Sequence, residues 1–472
     1  MNISIARRIA FDVLLRVAEH GAYADEALRA ALAEAAGCAV KSTVKTEDAG
    51  LATELTFGVL RWQRLLDFRI DSLLTKASKS LDSEVRIALR LGAYQLFFLE
   101  RIPAHAAVHE SVELVKMARK RSAAPFVNAV LRKAAKESAQ SLPSRTDPDA
   151  LLPSGITPAD RLGILYSHPT WMVERWFSAF EKDRIESLLA ANNRVPSLAG
   201  YIADPQHREE ILSSLQKAGC AVRPGHLLRG AFILEGGNPT DGELVRRGQL
   251  VIQDEASQAV THLLAVQPEN TVLDLCAAPG GKTLRLALDA GPTGRVIAAD
   301  LHAHRVRAMA ERFQQAGIQN VETIALDAAT PLPFAQKFDR ILVDVPCSGT
   351  GTLSRHPEIR WRLRPEDLAD LHARQSLLLR NALPHLAPGG RLVYSTCSLE
   401  PEENEHVVSE VLGDFGNSFC VVSARSAVEK FLQKSVPAES MVGADGFFRT
   451  FPAEHVTDGF FGAVIVRSEE KT

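Results

Sequence analysis

Phe338-Asp339-Arg340-Ile341-Leu342-Val343-Asp344-Val345-Pro346-Cys347-Ser348-Gly349-Thr350-Gly351 sets the architecture expected for the whole chain. Residues 340–345 are apolar, β-branched and few, which predicts a short buried strand. Pro346 and two glycines stop it and shape a loop rather than a helix entry. An acid and a thiol therefore leave the carboxyl end of one strand together. In an open α/β sheet, ligands bind just outside those strand ends. A carboxylate there can hold a polar substrate edge, and a thiol can act as a nucleophile.

Working outward, 272–275, 296–299, 321–325 and 392–395 are further apolar runs of strand length, mostly separated by helical stretches. Strands alternating with helices imply βαβ units and a parallel sheet. Two late runs, 420–423 and 462–466, are expected to complete it antiparallel, giving a mostly parallel, Rossmann-like seven-stranded sheet over 266–472. Upstream, 160–265 is expected to be a small α+β module, helical to residue 192, with strand-like runs at 198–203 and 231–234. The prolines at 143, 148, 153 and 158 mark a linker, placed at 141–159. Residues 1–140 are expected to be all-helical: apolar residues recur every three or four positions over 5–19, 51–74, 83–99, 107–119 and 124–136. Pro103 and Pro125 stand at expected helix starts.

The 472 residues, 46% of them apolar, can build several cores. A net charge of −3 excludes a uniformly basic nucleic-acid binder, but residues 116–136 hold seven Lys or Arg and no acid. The six cysteines include no C-x-x-C pair, so no metal site is expected, and so few thiols in so long a chain fit a reducing cytoplasm. No apolar run is long enough for a membrane span, and no signal-peptide core follows Arg7 and Arg8.

Asp274-Leu275-Cys276-Ala277-Ala278-Pro279-Gly280-Gly281-Lys282-Thr283 follows the first strand of the large sheet and opens a helix, whose N-terminal N–H groups attract anions. A phosphate loop needs Gly where Cys276 stands, and G-x-G-x-x-G spacing is absent, so nucleoside triphosphate and NAD readings lose ground. Asp300 ends the second strand, where an acid can hold ribose hydroxyls. Asp327 follows the third, where an adenine edge can lie. Each acid alone is no more than a loop aspartate. In sequence along three strand ends they fit an adenosine-bearing cofactor, and S-adenosylmethionine suits a turn that receives a carboxylate.

A second thiol, Cys397, ends the strand of Arg391-Leu392-Val393-Tyr394-Ser395-Thr396-Cys397-Ser398. If the strands carrying Cys347 and Cys397 are neighbours, both thiols face one crevice. Burial is the default for Cys38, Cys220 and Cys420, and a disulfide is the bland alternative for the pair. A thiolate needs activation, which Lys282 or a sulfonium can supply. Cytosine is a substrate that requires this set. Its C5 is too weak a nucleophile until a thiolate adds at C6, an acid at N3 meets the ring charge, and a second cysteine can help in release.

These elements resemble the RNA 5-methylcytosine methyltransferases, class I methyltransferase folds. In that family the cysteine of Thr-Cys-Ser is the nucleophile, which implies Cys397, and the cysteine after Asp-x-Pro assists release, which implies Cys347. Asp344 and Lys282 complete the implied catalytic set. Cys276, Ala277, Ala278, Pro279, Gly280, Gly281, Lys282, Asp300, Asp327 and Asp344 are the implied S-adenosylmethionine contacts. Leu89-Arg-Leu-Gly-Ala-Tyr-Gln-Leu96, Ala104-His-Ala-Ala-Val108 and Phe126-Val-Asn-Ala-Val-Leu-Arg132 resemble the N-terminal NusB-like RNA-binding bundle of the small-subunit methyltransferase B group. Gly248–Ser257 and Asp458-Gly-Phe-Phe461 match that group too. The resemblance implies methylation of cytosine C5 in 16S rRNA, and the expected partner is that RNA, free or in a partly assembled subunit, bound by a monomer. One departure stands out: Ala199-Gly-Tyr-Ile-Ala203 replaces the family's Arg-Val-Asn strand.

Arg355-His-Pro-Glu-Ile-Arg-Trp-Arg-Leu-Arg364 follows the Cys347 loop, and its arginines and tryptophan suit stacking and phosphate contacts with unpaired RNA. A surface ion-pair helix is the bland alternative. The run at 116–136 is expected to track the rRNA backbone. Three rivals stay open. One is a tRNA cytosine substrate, and one is a non-catalytic assembly factor, against which both cysteines speak. The third is exocyclic-amine methylation, which uses Asp/Asn-Pro-Pro-aromatic where Val345-Pro346-Cys347 stands.

Overall fold

The structure, a computed structural model, describes residues 3–37, 45–74, 81–139, 152–237 and 242–468. It divides into two compact units, Met1–Arg194 with Leu353–Leu363, and Val195–Thr352 with Arg364–Thr472.

The first unit contains α1 (Ile5–His20), α2 (Ala24–Gly37), α3 (Thr46–Arg61), α4 (Gln63–Ser72), α5 (Ser83–Phe98), α6 (Ala104–Met117) and α7 (Ala124–Ala139). Along α1, Ala6, Ile9, Ala10, Val13, Leu14 and Val17 are buried, one apolar stripe facing the core. Close helix contacts rest on glycines: a Cβ on Gly92 of α5 would lie 2.5 Å from Leu131 of α7. Two of the resemblance motifs are thus packing elements. Pro103 flanks the start of α6, and Pro125 lies in the first turn of α7, as expected.

Two expectations need correction. The sequence reading passed over α2, whose alanines give a faint apolar period despite high helix propensity. The single helix expected over 51–74 is two, broken at Trp62, with φ −107° and ψ 17°. The cause is tertiary. The Leu60 carbonyl accepts from Trp361 Nε1 at 2.7 Å, and the Arg61 carbonyl from Arg360 Nη1 at 3.3 Å. Helices α8 (Pro158–Leu165), α9 (Thr170–Ala179) and α10 (Lys182–Asn192) follow in the same unit, which also holds a short helix at Ile359–Arg362. The expected linker lies partly outside the described residues, and Cys38 lies wholly outside them.

The second unit holds two sheets. The small antiparallel one has order β2-β3-β1-β4, from β1 (Leu198–Ile202), β2 (Ala221–Pro224), β3 (Ala231–Glu235) and β4 (Leu250–Ile252). At Gly200 a Cβ would lie 2.5 Å from the Val251 carbonyl, so the divergent Ala199–Ala203 segment is a strand whose glycine admits its neighbour's backbone. The large sheet contains β5 (Thr271–Asp274), β6 (Arg295–Asp300), β7 (Val321–Ala325), β8 (Phe338–Asp344), β9 (Leu386–Thr396), β10 (Phe419–Val422), β11 (Phe448–Arg449) and β12 (Phe461–Arg467). Its order is β10-β12-β9-β8-β5-β6-β7, with β11 beside β12.

Strands β5 to β9 are parallel, while β10, β11 and β12 pair antiparallel. Short β2, β4 and β11 had not been foreseen. The apolar runs were legible because this sheet is buried on both faces: Leu342 and Val393 join one core, Ile341, Val343, Leu392 and Tyr394 the other. From β5 the chain runs outward through β6 and β7, then returns to place β8 on the other side of β5. That reversal between β5 and β8 is a topological switch point, where the strand ends open a crevice.

Candidate active site

Strand β5 delivers Asp274 to that crevice, and the turn 275–280 follows before a helix begins at Gly281. The turn is tight. Gly280 N–H donates to the Ala277 carbonyl at 2.7 Å, and Ala277 N–H to the Ala299 carbonyl of β6 at 3.0 Å. Gly280 has φ +93°, and a Cβ there would lie 2.9 Å from both Met309 and Phe313. Only glycine suits both demands. The Ala278–Pro279 peptide is cis.

Asp300, at the end of β6, accepts from Ala278 N–H at 3.2 Å and from His302 N–H at 3.1 Å, so it braces the turn. Asp327 stands exposed after β7 and accepts from Ala329 N–H at 3.0 Å. Cys276 has a buried environment that, with Asp274, Asp344 and Asp300 nearby, pushes its thiol far up, so it is held neutral.

The end of β8 meets the end of β9 in register, Asp344 opposite Ser395. Asp344 Oδ2 pairs with Lys282 Nζ at 2.7 Å, and Ser395 Oγ donates to Asp344 Oδ1 at 2.6 Å. Burial works against the Lys282 ammonium, but Asp344 outweighs it, with Cys397 and Asp274 adding, and the pKa stays above its ordinary value. Three residues past the end of β8 and one past the end of β9 lies the crux: Cys347 Sγ and Cys397 Sγ are 3.2 Å apart, both partly accessible. The two loops are also tied directly, Gly351 N–H donating to the Cys397 carbonyl at 2.9 Å. The hydrogen bond with Cys397, then burial, and then charge on Cys397 and Glu403 hold the Cys347 thiol well above its ordinary pKa. Cys347 is therefore held as the neutral thiol.

The structure thus brings Cys276, Lys282, Asp344, Cys347 and Cys397 to one end of β5, β8 and β9, with Asp300 under the turn and Asp327 farther along. Sequence reading missed Asp274 as more than a strand end. It is fully buried, accepts from Thr283 Oγ1 at 2.7 Å, and leaves Oδ1 without a partner. Burial raises its pKa to about 7. It also missed Ser395 and the carboxylate of Glu403, on which both cysteine loops are anchored.

Other expectations shift. Arg360 is fully buried, and its guanidinium donates to the carbonyls of Ser167, Asn192 and Arg61 and to Asn193 Oδ1. Trp361 is half-buried and donates its indole N–H to the Leu60 carbonyl at 2.7 Å. The buried state expected of Cys420 is not found: it is exposed on β10, whereas Cys220 is buried. In the basic run, Lys116 pairs with Glu113, and Lys120 with Asp82 and Glu84. Arg119, Arg121, Arg132, Lys133 and Lys136 are exposed. Asp25, His356 and Glu358 form the one candidate metal-binding group among the described residues. Glu358 already accepts from Ala24 N–H at the start of α2, where an anion is favoured without a metal.

Residues 261–466 match the family described as 16S rRNA methyltransferase RsmB/F, residues 4–136 the NusB family, and residues 168–241 the RsmF/B-like ferredoxin-like domain. A protein of Bacillus subtilis described as probable ribosomal RNA small subunit methyltransferase B is 31% identical over 98% of this chain and 98% of its own length. Ribosomal RNA small subunit methyltransferase B of Erwinia tasmaniensis is 32% identical, over 94% of this chain and 97% of that protein. Among solved structures, that of PH0851 superposes with a TM-score of 0.79 at 24% identity, covering 99% of this chain and 100% of that one.

Proposed function

The chain belongs to the RsmB/F family of 16S rRNA methyltransferases, and we propose that it methylates C5 of one cytosine in 16S rRNA through a covalent bond from Cys397 to C6. The observation that carries this reading is the 3.2 Å separation of two sulfurs beside the Lys282–Asp344 pair.

S-adenosylmethionine fits the residues at the switch point. The turn 276–282 would receive its carboxylate, Asp300 its ribose hydroxyls, and Asp327 its adenine edge, while the buried Asp274 Oδ1 beneath the turn is left without a partner of its own. When bound, that cofactor supplies the electrophilic methyl group. The protein's own work lies on the base. Cys397 Sγ adds to C6, the displaced electron pair spreads toward N3, and C5 becomes nucleophilic. Lys282 and Asp344 meet the polar edge of the ring, where charge develops.

Once Cys397 is a thioether it can neither hydrogen-bond Cys347 as before nor carry charge beside it. The Cys347 pKa then falls, and its thiolate can take the proton from C5. The C6–S bond breaks, the electron pair returns to Cys397, and the double bond is restored. A base within a duplex cannot reach these sulfurs, so the cytosine is flipped or unpaired.

The proposed limits are a NusB-like RNA-binding domain at 1–140, a linker at 141–159, an α+β module at 160–265 and a catalytic domain at 266–472, acting as a monomer in the cytoplasm on free or partly assembled rRNA. No helix among the described residues is long and apolar enough to cross a membrane. Mapping 5-methylcytosine in RNA from cells with and without this chain tests the substrate. Loss of one 16S site is expected, and loss confined to tRNA would overturn the assignment.

A further inference from the structure

We propose that Glu403 is a positioning residue that fixes the two thiols against one another. The inference deepens the cytosine reading and rests on it for the roles of the sulfurs. Glu403 is fully buried, in a Glu-rich stretch that looks like solvent-facing helix in sequence. Its Oε1 accepts from Ser348 N–H at 2.8 Å and from Gln375 Nε2 at 2.9 Å. Its Oε2 accepts from the hydroxyls of Ser348 and Ser398.

Ser348 follows Cys347 and Ser398 follows Cys397, fifty positions apart in sequence. One carboxylate therefore grips the residue next to each sulfur. The grip is itself rigid. Tyr394 OH donates to the Glu403 carbonyl at 2.6 Å, and Asn404 Nδ2 to the Ser398 carbonyl at 3.0 Å. Gln375 also reaches the Pro346 carbonyl at 2.9 Å, just before Cys347. A buried acceptor met by four donors cannot shift without breaking charge-assisted bonds, so the spacing of the sulfurs is transmitted from this point. The negative charge of Glu403 adds to the forces keeping Cys347 protonated while Cys397 attacks.

The test uses the full chain and phenylarsine oxide, which bonds to two thiols only when they are adjacent. Wild type should capture it stoichiometrically. Glu403→Ala should lose capture while both thiols remain countable after denaturation, and methylation should fall about a hundredfold. Glu403→Gln keeps the shape. Its carbonyl can face Ser348 N–H and Gln375, and its NH₂ the two hydroxyl oxygens, so capture should survive while Cys347 is alkylated at lower pH. Should Glu403→Ala fail to fold, the serines carry the test. Ser348→Ala should accumulate the covalent RNA complex by loosening Cys347, and Ser398→Ala should slow its formation without accumulation.

Wild-type capture in every variant overturns the proposal, as does an equal loss of methylation in both serine variants with no change in adduct level. If wild type captures the arsenical in a Glu403-dependent way yet methylates no cytosine, the positioning role stands and the cytosine reading falls.

Discussion

Cys347–Ser348 and Arg360–Trp361 lie thirteen residues apart, and each looks functional by residue type. The structure treats them in opposite ways. The first pair sits at a strand end, with one sulfur partly accessible and 3.2 Å from another. The second is consumed by the helical unit: Arg360 satisfies carbonyls around Arg61, Ser167 and Asn192, and Trp361 reaches Leu60. Chemistry-bearing side chains become functional only where the fold leaves their reactive atoms unspent. An arginine whose donors are taken by buried carbonyls stabilises the fold, whatever its motif resembles.

The contrast can be broken by substitution on both sides. Cys397→Ala should lower methylation by more than about 10⁴-fold, with cofactor binding kept. Cys347→Ala should instead trap RNA on the protein, visible as a band surviving denaturing electrophoresis. Arg360→Ala should leave the Cys347–Cys397 chemistry alone but strip donors from several buried carbonyls. A loss of about 3–5 kcal/mol in chemical denaturation is expected. If Arg360→Ala weakens RNA affinity at unchanged stability, the residue is a contact after all, and the contrast fails.

Asp274 sharpens the same point through pH. Its folded pKa, raised by burial to about 7, lies above the ordinary 3.8. The folded state therefore holds a proton that the unfolded state has released. The stabilising effect is complete below pH ~4 and is lost as pH rises toward 7, by up to about 4 kcal/mol. Asp274→Asn should flatten that part of the stability profile. The smallest effect belongs to the exposed cations: reversing Arg132 or Lys136 should reduce the salt dependence of RNA binding by about one counterion each.

Much of the large sheet was legible because its central strands are buried on both faces, so unbroken apolar runs such as Val296-Ile297-Ala298-Ala299 mark them directly. The site was legible for a related reason. Asp344, Cys347 and Cys397 stand where strands stop, and strand ends are local signals. What escaped depends on distant partners. The break at Trp62 needs donors from residues some three hundred positions away, and nothing in 51–74 announces it. Glu403 looks like one acid among several until the fold delivers Ser348 and Gln375 to it. Short β2, β4 and β11 carry too few residues to show a period.

The most direct measurement is peptide mapping by mass spectrometry of the covalent complex formed by Cys347→Ala with a cytosine-bearing RNA and S-adenosylmethionine. The nucleotide should be found on the peptide containing Cys397, with the mass of a methylated base. An adduct formed instead by Cys397→Ala and mapped to Cys347, or no adduct from either variant, would contradict the account.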